Sequence, residues 1–269
     1  MHGLGNDFIV IDATEQSFQL NATRIKQLSD RHFGIGFDQL LVVEPPANEH
    51  VDFTYRIFNA DGNEVEQCGN GARCFARYIT DKNLTSKKEI PVATHTGNII
   101  LIVNDDGLIT VDMGKPILSP ADIPLIADTQ KTRYQLDANN KTYAFGAVSM
   151  GNPHAVITVD QLEDMDIEPT GKLFQQHKRF PASVNVGFMQ IINRREIALR
   201  VYERGVGETM ACGTGACAAA VSAILQEETD HLLSVILPGG TLTIDWQGNG
   251  HSVYMTGPAE SVFEGTIEV

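Results

Sequence analysis

The chain has 269 residues and a mass of 29.4 kDa, which at roughly 150 residues per domain means one large domain or two small ones. Hydrophobic residues make up 42% and charged residues 20%, a globular composition that excludes a disordered or fibrous chain. The formal net charge is −14, so nucleic acids and anionic membranes are expected to be repelled rather than bound.

In chain order, the opening Met1-His2-Gly3-Leu4-Gly5-Asn6 is glycine-rich and turn-like and does not read as a secretory leader. Residues 8–11 read as a strand. A helix is expected over 21–32, with Asn21 as its cap and Arg24, Lys26 and Arg31 on a wet face. Strands follow at 40–43 and 53–58. Residues 72–79 are helical in composition, and Arg73 and Arg77 predict one wet side. Further strands fall at 99–103 and 109–112. Residues 120–140 are polar and read as a surface loop or irregular insertion. Strands then recur at 155–159, 186–192 and 198–202, a helix at 216–225, and strands at 235–237 and 241–246. The helix at 216–225 is apolar nearly all round, so it is expected to be buried. It is far shorter than the ~18 residues a membrane span needs.

The chain repeats itself. Cys68-Gly69-Asn70-Gly71-Ala72 and Cys212-Gly213-Thr214-Gly215-Ala216 share the pattern C-G-x-G-A at an offset of 144, and Asn59 and Glu203 stand nine residues ahead of each cysteine. Asn6 and Asn152 precede strands at an offset of 146, as do Gln39 and Asn185. Thr96-Gly97 to Met113-Gly114 matches Gly239-Gly240 to Thr256-Gly257 at 143. Four matches in order at nearly constant spacing predict two homologous α/β halves. This period is too long for a solenoid. Two similar domains related by a pseudo-twofold axis, with a cleft between them, are expected. The expected division is 1–112 plus 258–269 against 113–257.

Four cysteines are too few for a disulfide framework, and the first reading is a cytosolic protein with functional thiols. In C-G-x-G-A the cysteine stands just before a helix. The glycines permit a tight turn and leave N–H groups uncovered. Those donors and the helix dipole favour an anion and are expected to lower the thiol pKa from ~8.5. One motif therefore offers a carboxylate cradle beside a base. Two facing motifs offer bases on both sides of one bound carboxylate, as inversion of a carbon α to a carboxylate requires. A lone C-G-x-G is more often packing than chemistry; its duplication shifts the balance toward function. Cys74 and Cys217 read as core thiols. Zinc is a weaker alternative, because the cysteine spacings are not C-x2-C, and Gly3-Leu4-Gly5 and Gly34-Ile35-Gly36 lack the full nucleotide-binding pattern. On local grounds Asn59 and Asn152 pass equally as turn formers, and His154 as a structural histidine.

Six segments together resemble the diaminopimelate epimerase family: His2-Gly3-Leu4-Gly5-Asn6-Asp7-Phe8, Phe58-Asn59-Ala60-Asp61-Gly62-Asn63, Gln67-Cys68-Gly69-Asn70-Gly71-Ala72-Arg73-Cys74, Gly151-Asn152-Pro153-His154, Tyr202-Glu203-Arg204-Gly205-Val206-Gly207-Glu208-Thr209 and Ala211-Cys212-Gly213-Thr214-Gly215-Ala216. The resemblance spans essentially the whole chain. It implies an α/β (α+β) fold of two similar domains, each a curled mixed sheet around a central helix. It further implies a cytoplasmic, cofactor-independent and metal-free epimerase, usually a homodimer, that interconverts LL- and meso-2,6-diaminopimelate on the way to lysine and peptidoglycan. By position it implies Cys68 and Cys212 as the two bases, and Gly69, Asn70, Gly213 and Thr214 as donors to the reacting carboxylate. Asn6, Gln39, Asn59, Asn152, Asn185, Glu203 and Arg204 are implied as substrate holders, and His154 and Glu203 as groups tuning the thiols. Arg204 suits a distal carboxylate, and Asn and Glu side chains suit an ammonium. Two departures stand out. The family places a few residues ahead of the His2–Asn6 segment, so a weaker first-strand edge is expected. Phe263 stands where relatives carry a tyrosine linked to dimer contacts, which keeps apolar packing but removes a hydroxyl bond.

Overall fold

The structure, a computed structural model, describes residues 1–16, 21–65, 68–95 and 97–267. Gln67 of the first cysteine motif and Thr96 of the last repeat match lie outside the described residues. The chain divides into two compact units, Met1–Asp112 with Thr256–Val269, and Met113–Met255.

The first unit runs β1 (His2–Gly3), β2 (Asn6–Asp12), α1 (Ala22–Ser29), β3 (Gln39–Glu44), β4 (Phe53–Asn59), α2 (Gly69–Asp81), β5 (Glu89–Thr94), β6 (Gly97–Val103) and β7 (Ile109–Asp112). Its strands lie side by side in chain order. Pairing is parallel for β2/β3 and β4/β5 and antiparallel for the other neighbours. Each parallel pair needs a crossover, and α1 and α2 supply them. α2 packs against β1, β2, β3, β6 and β7, burying Ala72, Phe75, Ala76 and Ile79. The strict alternation of β4 turns Phe53, Tyr55 and Ile57 inward.

The second unit runs β8 (Tyr134–Ala138), β9 (Lys141–Ser149), β10 (Pro153–Thr158), α3 (Glu168–Gln176), β11 (Asn185–Asn193), β12 (Glu196–Glu203), β13 (Gly207–Thr209), α4 (Gly213–Leu225), β14 (Leu232–Leu237) and β15 (Gly240–Trp246). β16 (Val253–Gly257) then carries the chain across the boundary. The order is β8-β9-β10-β11-β12-β14-β15-β16, with β13 on β12. The pairing repeats that of the first unit: β10/β11 and β12/β14 are parallel, β9/β10, β11/β12 and β14/β15 antiparallel. α4 packs against β9, β10, β11, β12, β14 and β15 and is buried nearly throughout. Each unit is thus α/β, as the duplicated segments predict, and a mixed sheet curled about one central helix, as the family resemblance implies.

The duplication is visible down to single residues. Gly97 and Gly240 open equivalent strands at φ +138° and +139°, a region open to glycine alone. Asn83 and Glu227, 144 apart, both take positive φ just past α2 and α4.

Several elements differ from the sequence reading. Residues 120–140 are not all irregular: Tyr134–Ala138 pairs with β9, seating Tyr134 and Leu136 in an aromatic cluster with Phe145, Phe174 and Phe180. α1 ends at Ser29, short of residue 32, because the Asp30 carboxylate accepts the His32 and Phe33 N–H groups and turns the chain. Arg73, expected on a wet face, is fully buried. Its guanidinium donates to the carbonyls of Pro258 (3.0 Å) and Gly69 (3.4 Å) and to Asn70 Oδ1 (3.1 Å), and hydrogen bonds of this kind make burial of the charge tolerable. Arg77 alone meets solvent, paired with Asp81.

Candidate active site

Each unit builds a constellation at the N-terminus of its central helix. Cys68 caps α2 at φ −137°, ψ 114°, and Cys212 caps α4 at φ −119°, ψ 105°. The first helical bonds run from Ala72 N–H to the Cys68 carbonyl and from Ala216 N–H to the Cys212 carbonyl. The N–H groups of Gly69, Asn70, Gly71 and of Gly213, Thr214, Gly215 therefore have no acceptor within their helices and face the anion-favouring end of the dipole. The second glycine of each motif is present for space rather than for a turn. A Cβ on Gly71 would stand 2.5 Å from the Tyr55 hydroxyl, and one on Gly215 would stand 3.2 Å from the Cys212 sulfur.

In the first unit, Cys68 is half-buried and its sulfur donates to Asn6 Oδ1 at 3.8 Å. Asn70 Nδ2 donates to the same oxygen at 3.3 Å. Asn6 enters from the start of β2, beside α2. On the neighbouring strands, the β3/β4 register places Gln39 opposite Asn59, and Gln39 Nε2 donates to Asn59 Oδ1 at 2.8 Å. Asn6, Cys68 and Asn70 therefore form one cluster, and Gln39 and Asn59 a pair.

In the second unit, Cys212 is buried. Its sulfur donates to Glu203 Oε2 at 3.2 Å and lies 3.6 Å from the Thr214 hydroxyl. Thr209 Oγ1 donates to the other Glu203 oxygen at 2.5 Å. Asn185 Oδ1 accepts the Arg204 N–H at 2.8 Å while its Nδ2 donates to the Pro153 carbonyl. The Arg204 guanidinium donates to the Ala182 carbonyl. Asn152 Oδ1 meets His154 Nε2 at 3.0 Å.

The expectation that the helix end lowers the thiol pKa is overturned at Cys212. Burial and then the Glu203 carboxylate push this thiol well up, against smaller downward pulls from Thr214 and the Gly215 N–H. Partial N–H charges are weaker than loss of water plus a full negative charge 3.2 Å away. His154 is buried, and burial together with Arg204 drives its pKa down to about 3. Its ring is neutral at physiological pH, bonded to Asn152; Glu203 is the group in contact with Cys212. Cys74 lies in the core, pushed up by burial to about 12. Polar side chains that the sequence reading did not name stand beside those it did. Asp7 and Asp38 adjoin Asn6 and Gln39 in the chain, and both are bound by Arg31. Thr209 braces Glu203.

Three comparisons bear on this arrangement. The family model described as diaminopimelate epimerase matches residues 1–119 and 146–262. A diaminopimelate epimerase from Pseudomonas savastanoi pv. phaseolicola (strain 1448A / Race 6) is 55% identical over the whole of this chain and 98% of its own length. Among solved structures, a PhzF-family phenazine biosynthesis protein from Bacillus anthracis superposes with TM-score 0.66 at 16% identity, over 96% of this chain and 91% of its own. A hydroxyproline epimerase from Agrobacterium vitis, solved with trans-4-hydroxy-L-proline, gives TM-score 0.64 at 16% identity, over 95% and 87%. At that identity the two structures speak for the fold alone. The sequence match covers both cysteine motifs and both units, and the chain belongs to the diaminopimelate epimerase family.

Proposed function

We propose that this isomerase interconverts LL- and meso-2,6-diaminopimelate by proton exchange at one α-carbon, with Cys68 and Cys212 as the two bases acting on opposite faces. The observation that carries this reading is the placement of a cysteine at the same N-cap position of equivalent helices in both units. In one direction a thiolate takes the α-hydrogen, so the C–H bond breaks and an S–H bond forms. The electron pair moves into the carboxylate, where the N–H groups of Gly69, Asn70, Gly213 and Thr214 hold the developing charge. The other thiol then delivers its proton to the opposite face and becomes the thiolate. Nothing is oxidised or reduced, and the roles exchange in the reverse direction. The raised pKa of Cys212 makes its thiolate, once formed, a stronger base.

The remaining roles belong to the same proposal. Asn6, Gln39, Asn59, Asn152, Asn185 and Glu203 hold the ammonium groups and the carboxylate edges of the substrate. Arg204 binds the distal carboxylate. Glu203 tunes Cys212, and His154 acts as a neutral support for Asn152. Each compact unit serves as one half of the enzyme. The working form is a homodimer in the cytoplasm, supported by the family resemblance and by the exposed apolar side chains of Val262 and Phe263. Among the described residues no helix is long and apolar enough to cross a membrane.

The test is replacement of each thiol. Cys68→Ala and Cys212→Ala are each expected to abolish epimerisation of LL-diaminopimelate measured with no added cofactor. Near-normal turnover in either variant would overturn the two-thiol assignment.

A further inference from the structure

The Cys68 cluster sits in a hydrogen-bond chain whose ends fix its polarity. Arg73, a donor only, gives Nη2–H to Asn70 Oδ1 at 3.1 Å. Asn70 is thereby oriented with its Nδ2 toward Asn6, donating to Asn6 Oδ1 at 3.3 Å. Asn6 in turn donates Nδ2–H to Asp38 Oδ2 at 2.9 Å. Asp38, an acceptor only, ends the chain, and its other oxygen accepts from Arg31 Nη2 at 2.9 Å. Arg31 is anchored by a two-point grip on Asp7, at 2.7 and 2.8 Å. Asp7 also accepts the Asp38 N–H at 2.8 Å and donates its own N–H to Asp38 Oδ2 at 3.1 Å. With a guanidinium at one end and a carboxylate at the other, neither amide can flip without setting donor against donor or acceptor against acceptor.

We infer that Asp38, braced by Arg31, is a positioning residue that fixes the carboxamide of Asn6 so that its oxygen faces the Cys68 sulfur. The consequence is local and chemical. An oxygen at this place accepts from the Cys68 S–H, a contact that by itself favours the protonated thiol. A flipped amide would present N–H donors and favour the thiolate. The clamp's worth to folding is small, because the Arg31 and Asp38 side chains are 55% and 45% exposed and ion pairs in that setting contribute little. Geometry at the thiol is what it supplies. The inference rests on the proposed role of Cys68 only for its effect on turnover.

The test is site-resolved alkylation. The chain and its variants are treated with iodoacetamide at one fixed pH, and modification of Cys68 and Cys212 is followed separately by mass spectrometry. Asp38→Ala is expected to speed modification of Cys68, leave Cys212 unchanged and keep the thermal midpoint. Asp38→Asn, which retains an acceptor oxygen for Asn6, is expected to recover most of the unaltered rate, and Arg31→Lys, which loses the fork, to fall between. In an Asn6→Ala background, Asp38→Ala is expected to add nothing. Turnover should fall about tenfold or more in kcat/KM for Asp38→Ala, as for a mispositioned active-site group. An unchanged Cys68 rate, equal acceleration at both cysteines, or an additive effect in the Asn6→Ala background would each overturn the clamp. If instead Cys68→Ala kept full turnover, the two-thiol reading would fail, while the alkylation rates would still decide the clamp.

Discussion

Cys212 carries opposing influences on one sulfur. Helix N–H groups pull its pKa down, while burial and the Glu203 carboxylate push it up, and the upward pair wins. Glu203→Gln removes a full charge but keeps the shape, so the thiolate should form at lower pH. The expected outcome is faster iodoacetamide modification of Cys212 at pH 8, with turnover reduced at least about tenfold, since under the proposed mechanism a weaker base and a lost substrate contact both act on the reaction. Mass-spectrometric alkylation rates beside a turnover assay check both. Unchanged or slower alkylation would show that Glu203 does not govern the thiol. The sequence made this pair findable, since Asn59 and Glu203 hold equivalent places nine residues before the two cysteines. Its electrostatics were not readable, because the sign depends on whether the sulfur is wet. The same holds for Arg73. In the chain it looks like Arg77, a cation on a helix, and only the closeness of the Pro258 carbonyl, 185 residues away in sequence, turns it inward.

Among the elements, the helix that local reading missed is informative. α3 (Glu168–Gln176) carries a proline and a glycine and lacks an N-capping side chain, so its local signal is weak. Yet α1 starts at Ala22 and α3 at Glu168, 146 apart, the same offset that links Asn6 with Asn152 and Gln39 with Asn185. A parallel pair flanks each helix, and only a crossover can join such strands. The repeat therefore contained this helix even though its composition did not. β8 had no counterpart to point to it, and its pairing with β9 depends on contacts with distant aromatics. A second lesson concerns the glycines of C-G-x-G-A. Gly71→Ala would set a methyl against the Tyr55 hydroxyl, 2.5 Å away on a rigid ring, and overpacking of this kind costs about 1–3 kcal/mol. That hydroxyl is buried and has no hydrogen-bond partner among the described residues. Tyr55→Phe is therefore expected to cost little alone and to recover most of the loss in the double variant, as measured by chemical denaturation. An additive double variant would mean that the glycine is required for another reason.

For the whole molecule, buried titratable groups set the pH range of stability. His154 has its pKa lowered from 6.5 to about 3 in the folded chain. As pH falls below about 6.5 the unfolded chain takes up a proton that the folded chain refuses, so stability is lost across that interval, at up to ~1.4 kcal/mol per pH unit. Cys74 has its pKa raised from 9.0 to about 12, and Cys212 is raised in the same direction. Above about pH 9 the unfolded chain releases protons that the folded chain keeps, so stability falls as pH rises. Urea denaturation from pH 4.5 to 10.5 is expected to show a plateau between these limits. His154→Gln should flatten the acid side alone, and an unaltered acid slope in that variant would assign it to other groups.

The proposed mechanism uses two thiols, one from each half of the duplicated fold, where a one-base enzyme would need one, and isotope labelling reads that difference directly. LL-diaminopimelate is incubated in deuterated water with the unaltered chain and sampled at low conversion. Two thiols that exchange with solvent predict a meso product carrying one deuterium at the inverted carbon, while the remaining LL substrate stays unlabelled. A product that keeps its original hydrogen, or label entering the LL substrate as fast as the product forms, would contradict the account.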